Sequence, residues 1–157
     1  MQAIVCVSEN WGIGFQNDLL FHIHADLKRF REKTTGKTVI MGHKTLLSFP
    51  GQKPLPNRRN IVLTRQNISI DGAEVAHSVE EAALLGGEDA MVIGGGTVYE
   101  RFLPYCDRVL VTKVDANVPS DTYFPDLDRD PAWEIAAKSE QMEENGLFFR
   151  YIDYIRR

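Results

Sequence analysis

A short apolar run that ends in three consecutive glycines constrains this chain more than any other part of its sequence. Residues 91–93 are typical of a strand, residues 94–96 are the glycines, and the apolar spacing over residues 98–103 indicates a helix that Pro104 ends. Glycine tolerates positive φ and lets a ligand approach the backbone, and N–H groups at a helix N-terminus can bind phosphate. The stretch therefore predicts a ligand-binding turn. A plain tight turn is the alternative, because Tyr99 stands where the common dinucleotide fingerprint has its last glycine.

The same arrangement occurs earlier in the chain. Residues 37–42 form an apolar run that ends in glycine, and residues 43–48 then have a helical pattern. Such units place helix N-termini at the carboxyl ends of strands, which is where open α/β sheets bind ligands. A further strand at residues 61–63 ends in Thr64 and Arg65, whose hydroxyl and guanidinium suit a phosphate monoester. A solvated strand end is the alternative.

The remaining pattern predicts one α/β domain over residues 1–157, with a mixed, mainly parallel sheet. Residues 8–18, 49–57 and 117–131 are expected to be loops, and the first of these is either a lid over a binding site or a loop held by a small apolar cluster. The other predicted elements are a strand at residues 3–7, a helix from Ala25 that Gly36 ends, a helix that Ser78 and Glu81 cap, a strand at residues 108–112, and a hairpin of residues 133–137 with 147–155.

Charge and cysteine content exclude several kinds of function. A formal net charge of −4 argues against nucleic acid as the main partner. Cys6 and Cys106 are the two cysteines and are expected to be buried thiols, which suits a reducing compartment. The apolar run near the N-terminus is too short for a signal peptide or a membrane span, so we expect a cytoplasmic location. His22 and His24 lack nearby partner ligands, so no metal is expected.

Asp26 is the candidate functional carboxylate. It falls in the first turn of a predicted helix, beside Ile23, Leu27 and Phe30. One interpretation is that the carboxylate only complements the helix dipole. The other is that an apolar cleft raises its pKa, so that it can bind or help to protonate a basic ring.

Several local patterns together resemble dihydrofolate reductase, and the resemblance runs nearly from end to end. The stretches that carry it are Gly12-Ile-Gly14, Ala25-Asp-Leu-Lys-Arg-Phe30, Thr38-Val-Ile-Met-Gly42, Pro54-Leu-Pro-Asn-Arg-Arg-Asn60, Val92-Ile-Gly-Gly-Gly96, Val98-Tyr99 and Asp121-Thr-Tyr-Phe-Pro125. Their order and spacing are more specific than any one of them. The resemblance implies a central mixed, mainly parallel sheet of eight strands, flanked by about four helices, with a C-terminal antiparallel hairpin.

The resemblance also implies a folate site. Asp26 would bind the pterin ring and promote its protonation, with Thr112 supporting the carboxylate, and Phe21 and Tyr99 would complete the catalytic set. Arg58 would bind the carboxylate of the glutamate tail, a task that suits a guanidinium. The other residues assigned to the substrate are Ile4, Val5, Cys6, Leu27, Phe30, Phe49, Leu55 and Ile93.

For the cofactor the resemblance implies NADPH, with Tyr99 beside the nicotinamide and a cis peptide between the first two glycines of the turn. Lys44 and Arg65 would supply positive charge for a 2′-phosphate. The residues assigned to the cofactor are Ile13, Gly14, Asn17, Leu19, Gly42, His43, Lys44, Thr45, Leu63, Thr64, Arg65, Gly94, Gly95, Gly96, Thr97, Val98 and Tyr99.

The implied reaction is reduction of dihydrofolate to tetrahydrofolate by hydride transfer to C6 with protonation at N5, which supports one-carbon metabolism. We expect a monomer that binds dihydrofolate and antifolate inhibitors, and neither nucleic acid nor membrane. The alternatives are the related NADPH-dependent reductase of riboflavin synthesis and a non-catalytic nucleotide-binding module. The helix with Asp26 and Phe30, together with Arg58, favours folate.

The chain departs from the family pattern at several positions. Leu20 and Phe21 stand where family members commonly have proline and tryptophan, and Phe21 lacks the indole N–H that helps to hold a water. Thr97 and His43 stand where arginine is often found, so Lys44 and Arg65 would carry more of the phosphate binding.

Overall fold

The computed structural model describes residues 1–157 and is built around one large mixed sheet. Its strands lie in the order β10-β12-β8-β1-β7-β4-β5-β6, and β11 pairs with β12 beside this path. The strands of this sheet are β1 (Gln2–Val7), β4 (Thr38–Gly42), β5 (Arg59–Leu63), β6 (Ala73–Ala76), β7 (Met91–Gly94), β8 (Arg108–Val114), β10 (Trp133–Lys138), β11 (Met142–Glu144) and β12 (Leu147–Arg156).

Pairing inside the sheet is parallel from β8 through β1, β7, β4 and β5 to β6, and antiparallel where β12 joins β8, β10 and β11. The inner strands are buried because helices cover both faces, and β4 has three consecutive buried residues at its centre. The mainly parallel sheet of the eight-strand path and the C-terminal antiparallel hairpin are as the sequence and the resemblance predict.

Four α-helices pack against the sheet. The helices are α1 (His24–Thr34), α2 (His43–Leu47), α3 (Val79–Gly86) and α4 (Gly96–Phe102), with single 3-10 turns at Pro50–Gln52 and Leu103–Tyr105. At the start of α3 the Ser78 hydroxyl accepts a 3.1 Å bond from the Glu81 N–H, as predicted, whereas the Glu81 carboxylate binds the N–H of His77. No helix is long and apolar enough to cross a membrane.

A second, three-stranded antiparallel sheet lies where the sequence predicts only loops. Its strands are β2 (Gly12–Phe15), β3 (Asp18–Leu19) and β9 (Thr122–Tyr123), in the order β3-β2-β9. The prediction that residues 8–18 and 117–131 contain no strands is therefore wrong at these positions. Strand β2 pairs with β9 more than 100 positions away, as in the pair of Gly14 with Thr122, and β3 has only two residues, so local pattern does not identify these strands.

Candidate active site

The side chain of Asp26 meets a row of side chains that crosses three neighbouring strands. Cys6 on β1, Thr112 on β8 and Tyr151 on β12 are paired in register, so they share one face of the sheet. The Thr112 hydroxyl donates a 2.5 Å hydrogen bond to Asp26 Oδ1. This bond ties the first turn of α1 to the centre of the sheet and leaves the second carboxylate oxygen for another partner.

Burial dominates the charge state of the Asp26 carboxyl. Desolvation raises the pKa of Asp26, and the Thr112 hydroxyl, the Arg29 cation and the Cys6 thiol oppose it without cancelling it. Burial, followed by the nearby Asp26 charge, raises the pKa of Cys6 well above its usual value, so Cys6 remains a neutral thiol beside the carboxylate. The site therefore holds one carboxyl poised to exchange a proton, surrounded by neutral donors.

A carboxylate from the C-terminal hairpin holds the start of α1. The helix follows Ile23, which supplies no side-chain cap. Instead, Glu144 Oε2 accepts a 2.6 Å bond from the His24 N–H, and Oε1 accepts a 3.0 Å bond from the Ala25 N–H. These backbone bonds lower the pKa of Glu144. The helix terminus next to Asp26 is thus fixed by a residue 120 positions away.

The predicted apolar wall forms two adjoining groups. Ile4 packs with Phe30 and Ile93, while Phe49 and Leu55 pack with the cluster that Ile93 also contacts. Leu27 is 42% exposed on the same helix as Phe30, which leaves apolar surface for a ligand.

Two predicted pocket residues, Val5 and Cys6, do not belong to the two apolar groups of this wall. The Val5 side chain lies in the main core, on the opposite face of β1 from Cys6, so only its backbone faces the site. Cys6 is half-buried rather than fully buried, packs against the cluster of Phe21, Ile23 and Phe149, and its thiol lies beside the Asp26 carboxyl.

Arg58 lies at the far end of α1 in a loop that a buried amide holds in place. Its Nε donates a 2.9 Å bond to the Pro56 carbonyl, and Nη1 lies 3.4 Å from the Thr34 hydroxyl. Asn60 is 2% exposed and bonds the Leu55 N–H, the Leu55 carbonyl and the Arg58 carbonyl. Burial, followed by the Arg31 cation, lowers the pKa of Arg58. Arg58 and Arg31 together make this end of the cleft positively charged.

The three glycines form a turn that the rest of the fold surrounds closely. The peptide between Gly94 and Gly95 is cis, as the resemblance implies, and Gly94 has a φ of +127°, which favours glycine. A Cβ at Gly96 would overlap Thr122 Cγ2 on β9. Helix α4 starts at Gly96, and its Tyr99 is buried with its hydroxyl donating a 2.6 Å bond to the Ile4 carbonyl. Burial raises the pKa of Tyr99, which keeps it a neutral donor.

The second glycine turn lies directly beside the first. Because β7 and β4 are parallel neighbours, Gly42 at the end of β4 approaches α4, and a Cβ there would lie 3.0 Å from Val98. A Cβ at Gly95 would lie 3.5 Å from the Thr45 hydroxyl. The predicted placement of both helix N-termini at one sheet edge is confirmed.

The residues expected to bind a phosphate monoester follow β4 and β5 at this same edge. Leu63 pairs with Gly42, so Thr64 and Arg65 emerge next to α2. Lys44 and Arg65 are exposed, and neither forms a salt bridge. The Thr64 side chain is 9% exposed and accepts a 3.1 Å bond from the Gln66 N–H. His43 is half-buried and Thr97 is exposed.

The small sheet holds the remaining predicted residues. A Cβ at Gly96 would lie 3.9 Å from Ile13, which places β2 against the glycine turn. Asp121 binds β2 through its N–H to the Gly14 carbonyl and through its carboxylate to the Gln16 N–H, both at 2.9 Å. Asn17 has a φ of +62° in the exposed turn that leads to β3. Leu19 is 53% exposed.

Phe21 follows the small sheet in sequence and is buried. It packs with Ile23, Val114 and Phe149, in a cluster that Cys6 also contacts. Phe21 is therefore linked to Asp26 through Cys6.

Sequence reasoning missed several residues that shape the site. Glu144, Arg29 and Asn60 act through contacts that a linear pattern does not show. The absence of a Ser, Thr, Asp or Asn before α1 was the one available signal, because it means that the helix terminus needs a cap from elsewhere.

Comparison with known proteins places the whole chain in one family. The family model described as Dihydrofolate reductase matches residues 1–156. A dihydrofolate reductase of Neisseria meningitidis is 40% identical over 157 residues, which is 98% of this chain and 96% of the relative. One of Staphylococcus aureus is 36% identical over 148 residues, covering 92% and 91% of the two chains.

A solved structure gives the same result. It is that of a dihydrofolate reductase from Enterococcus faecalis complexed with NADP(H) and RAB-propyl. The two folds superpose with a TM-score of 0.87 at 34% sequence identity, over 99% of this chain and 95% of the other.

Proposed function

The chain belongs to the dihydrofolate reductase family and is an NADPH-dependent oxidoreductase, and we propose that it reduces dihydrofolate by adding a hydride at C6 and a proton at N5. The observation that carries the proposal is the Asp26 carboxyl, which burial makes more basic and which the Thr112 hydroxyl orients. A carboxyl whose pKa is raised by burial can bind a basic ring and assist the transfer of a proton to it.

Asp26 would have two tasks toward the pterin ring. Its free carboxylate oxygen would accept hydrogen bonds from ring N–H groups, which fixes the orientation of the ring against the wall of Ile4, Phe30 and Ile93. Its proton affinity would favour protonation of N5, and a protonated N5 makes the adjacent C6 a better hydride acceptor. Cys6 and Thr112 would keep the carboxylate in this position.

The substrate's tail would extend along α1 toward Arg58. Leu27, Phe49 and Leu55 offer apolar surface for the ring that joins the pterin to the tail. The Arg58 guanidinium is held by Pro56 and lies beside the Arg31 cation, so this end of the cleft suits a carboxylate.

The residues at the two glycine turns fit NADPH. Glycine occupies positions 42, 95 and 96 of these turns. A Cβ at Gly42 would crowd Val98, and a Cβ at Gly96 would overlap Thr122. Gly95 and Gly96 carry no side chains of their own over the start of α4, which suits the approach of a pyrophosphate to the backbone. Lys44 and Arg65 would hold the 2′-phosphate, and His43, Thr45, Leu63 and Thr64 the adenosine end. When bound, NADPH supplies the hydride.

The small sheet would exclude water from the reacting atoms. Ile13 lies beside the glycine turn, and Asp121 ties the strand that carries Ile13 and Gly14 to β9. Asn17 and Leu19 lie at the exposed end of this sheet and would contact the cofactor from there.

The product would be tetrahydrofolate, a carrier for one-carbon metabolism. Antifolates would compete with dihydrofolate for the same cleft. The enzyme would be a monomer. The reductase of riboflavin synthesis is less favoured, because a ribosyl-phosphate substrate does not need a pterin-binding carboxylate. A non-catalytic nucleotide-binding module is also less favoured, because it would not need a buried carboxyl with a raised pKa such as that of Asp26.

The test is to mix the purified chain with NADPH and dihydrofolate and follow the NADPH absorbance band. The proposal predicts rapid loss of absorbance that needs both compounds. NADPH binding without turnover would point to another substrate, and failure to bind NADPH would contradict the assignment of the glycine turns.

A further inference from the structure

A buried guanidinium lies next to the helix turn that carries Asp26. The Arg29 side chain is 15% exposed and its Nη2 lies 3.6 Å from Asp153 Oδ1 on β12. Its Cζ lies 4.0 Å from the centre of the Tyr151 ring, in cation–π contact. Arg29 Nη1 is buried and has no hydrogen-bond partner. The Arg29 guanidinium is therefore held by Asp153 and Tyr151 of β12, and its Nη1 group has no partner.

The position of Arg29 follows from helix geometry and sheet register. Asp26 and Arg29 are three residues apart on α1, so both side chains lie on the helix face that packs against the sheet. Tyr151 is paired with Thr112, the residue that binds Asp26, and Asp153 lies two residues further along the same face of β12. The cation is thus a neighbour of the Asp26 carboxylate across one helical turn.

We propose that Arg29 is a positioning residue for the reaction, whose charge favours the ionised form of Asp26 and so sets the pH range in which the enzyme works. This inference rests on the proposed function. The Asp26 carboxyl is less exposed to water than most carboxyls, so a fixed cation beside it acts with little screening.

A contribution to folding stability does not by itself explain why the Arg29 guanidinium is buried. A buried guanidinium N–H without a partner is unfavourable, and a buried ion pair seldom improves on well-packed apolar side chains. Asp153 is also shared, because Arg108 Nη1 lies 3.5 Å from its Oδ2. Arg29 therefore keeps part of its charge uncompensated. Of the two acids one helical turn away on α1, Glu32 is exposed to solvent, whereas Asp26 is half-buried against the sheet.

The groups around Asp26 make the sign of this effect clear. Burial raises the pKa of Asp26, while the Thr112 hydroxyl, Arg29 and the Cys6 thiol lower it. The other ionisable groups packed around this part of α1 are Tyr99 on α4, Tyr151 and Asp153 on β12, Arg108 on β8, and Glu144 with His24 at the helix start. Among these groups, Arg29 is the cation that acts on the Asp26 carboxyl, so its removal must raise the pKa of Asp26.

The test compares Arg29→Met and Arg29→Gln with Arg29→Lys, which keeps the charge. Lys28→Met is the matched control, because Lys28 is an exposed cation on the same helix. Carbon-13 NMR of the aspartate carboxyl groups, with the Asp26 signal identified by its absence in Asp26→Asn, gives the titration midpoint of Asp26 without any need for activity. The pH profile of kcat is recorded in parallel.

Both neutral variants are expected to move the Asp26 midpoint to higher pH, and the decline of kcat with rising pH should move with it. Arg29→Lys should restore most of the wild-type midpoint, and Lys28→Met should leave it unchanged. An Asp26 midpoint that is the same in folded Arg29→Met or Arg29→Gln as in the wild type would overturn the inference. A wild type that titrates as expected but does not reduce dihydrofolate would instead contradict the proposed function.

Discussion

The Thr112 hydroxyl donates a 2.5 Å hydrogen bond to the carboxylate of Asp26, across a sequence separation of 86 residues. The bond joins the helix that carries the candidate catalytic group to strand β8 of the main sheet. It also opposes the effect of burial on the pKa of Asp26. Thr112 therefore controls both the position and the proton affinity of the carboxyl.

Thr112→Val should reduce kcat/KM for dihydrofolate by roughly tenfold or more, because a buried carboxylate loses a charge-assisted hydrogen bond while the volume at position 112 is kept. The midpoint of the pH profile should move upward, since the ionised carboxylate loses a donor. Steady-state kinetics across the pH range measure both effects. Thr112→Ser keeps the hydroxyl and should behave like the wild type, and equal damage in the two variants would assign Thr112 a packing role only.

Glu144→Ala should destabilise the protein at neutral pH by removing the two backbone bonds at the start of α1. Because the folded-state pKa of Glu144 is lowered, its contribution is present above the unfolded pKa and is lost as the pH falls through the folded pKa. The difference in Tm from the wild type should therefore disappear in acid. Glu143→Ala, an exposed neighbour, is the control. A Tm difference that is the same at all pH values would argue against the capping role.

Gly96→Ala should lower the free energy of unfolding by about 1–3 kcal/mol, because the new methyl group would overlap the Thr122 side chain. Urea denaturation measures this loss, and NADPH titration should show weaker binding. The double variant Gly96→Ala with Thr122→Ala removes the overlapping methyl and should recover much of the stability. No recovery in the double variant would mean that the overlap with Thr122 is not the cause.

Phe21→Trp should change turnover, its pH dependence and the affinity for a diaminopyrimidine antifolate. Phe21 packs in the cluster that Cys6 contacts, and an indole N–H there adds a donor near the Asp26 carboxyl. Kinetics and inhibitor titration of the two proteins check this. If all three properties stay at their wild-type values, the missing N–H at this position has no functional consequence.

The parallel part of the fold could be predicted because its signals are local. A buried strand followed by glycine and a helix is recognisable from consecutive residues of the sequence, as at Gly42 and Gly94. Strand β6 (Ala73–Ala76) was not predicted, because it has four residues with no clear alternation and is defined by pairing with β5. The strands of the small sheet were missed for the same reason.

The candidate site was predictable to a different extent. Asp26, Thr112 and Arg58 follow from resemblance to a family, and the structure brings Asp26 and Thr112 into contact. Glu144 and Arg29 could not be found this way, since their roles depend on how the C-terminal hairpin packs against α1. The resemblance assigns Cys6 to the apolar wall of the pocket, and its proximity to the Asp26 carboxyl depends on the pairing of β1 with β8, which a linear pattern does not show.

The role of Asp26 is tested most directly by the turnover of NADPH and dihydrofolate by the wild type and by Asp26→Asn, measured from acid to alkaline pH. We expect rapid turnover by the wild type and a loss of at least about a hundredfold in the variant at neutral pH. Acid should partly relieve that loss, because solvent can then protonate N5 in place of the missing carboxyl. Equal turnover by the two proteins at neutral pH would contradict the role of Asp26.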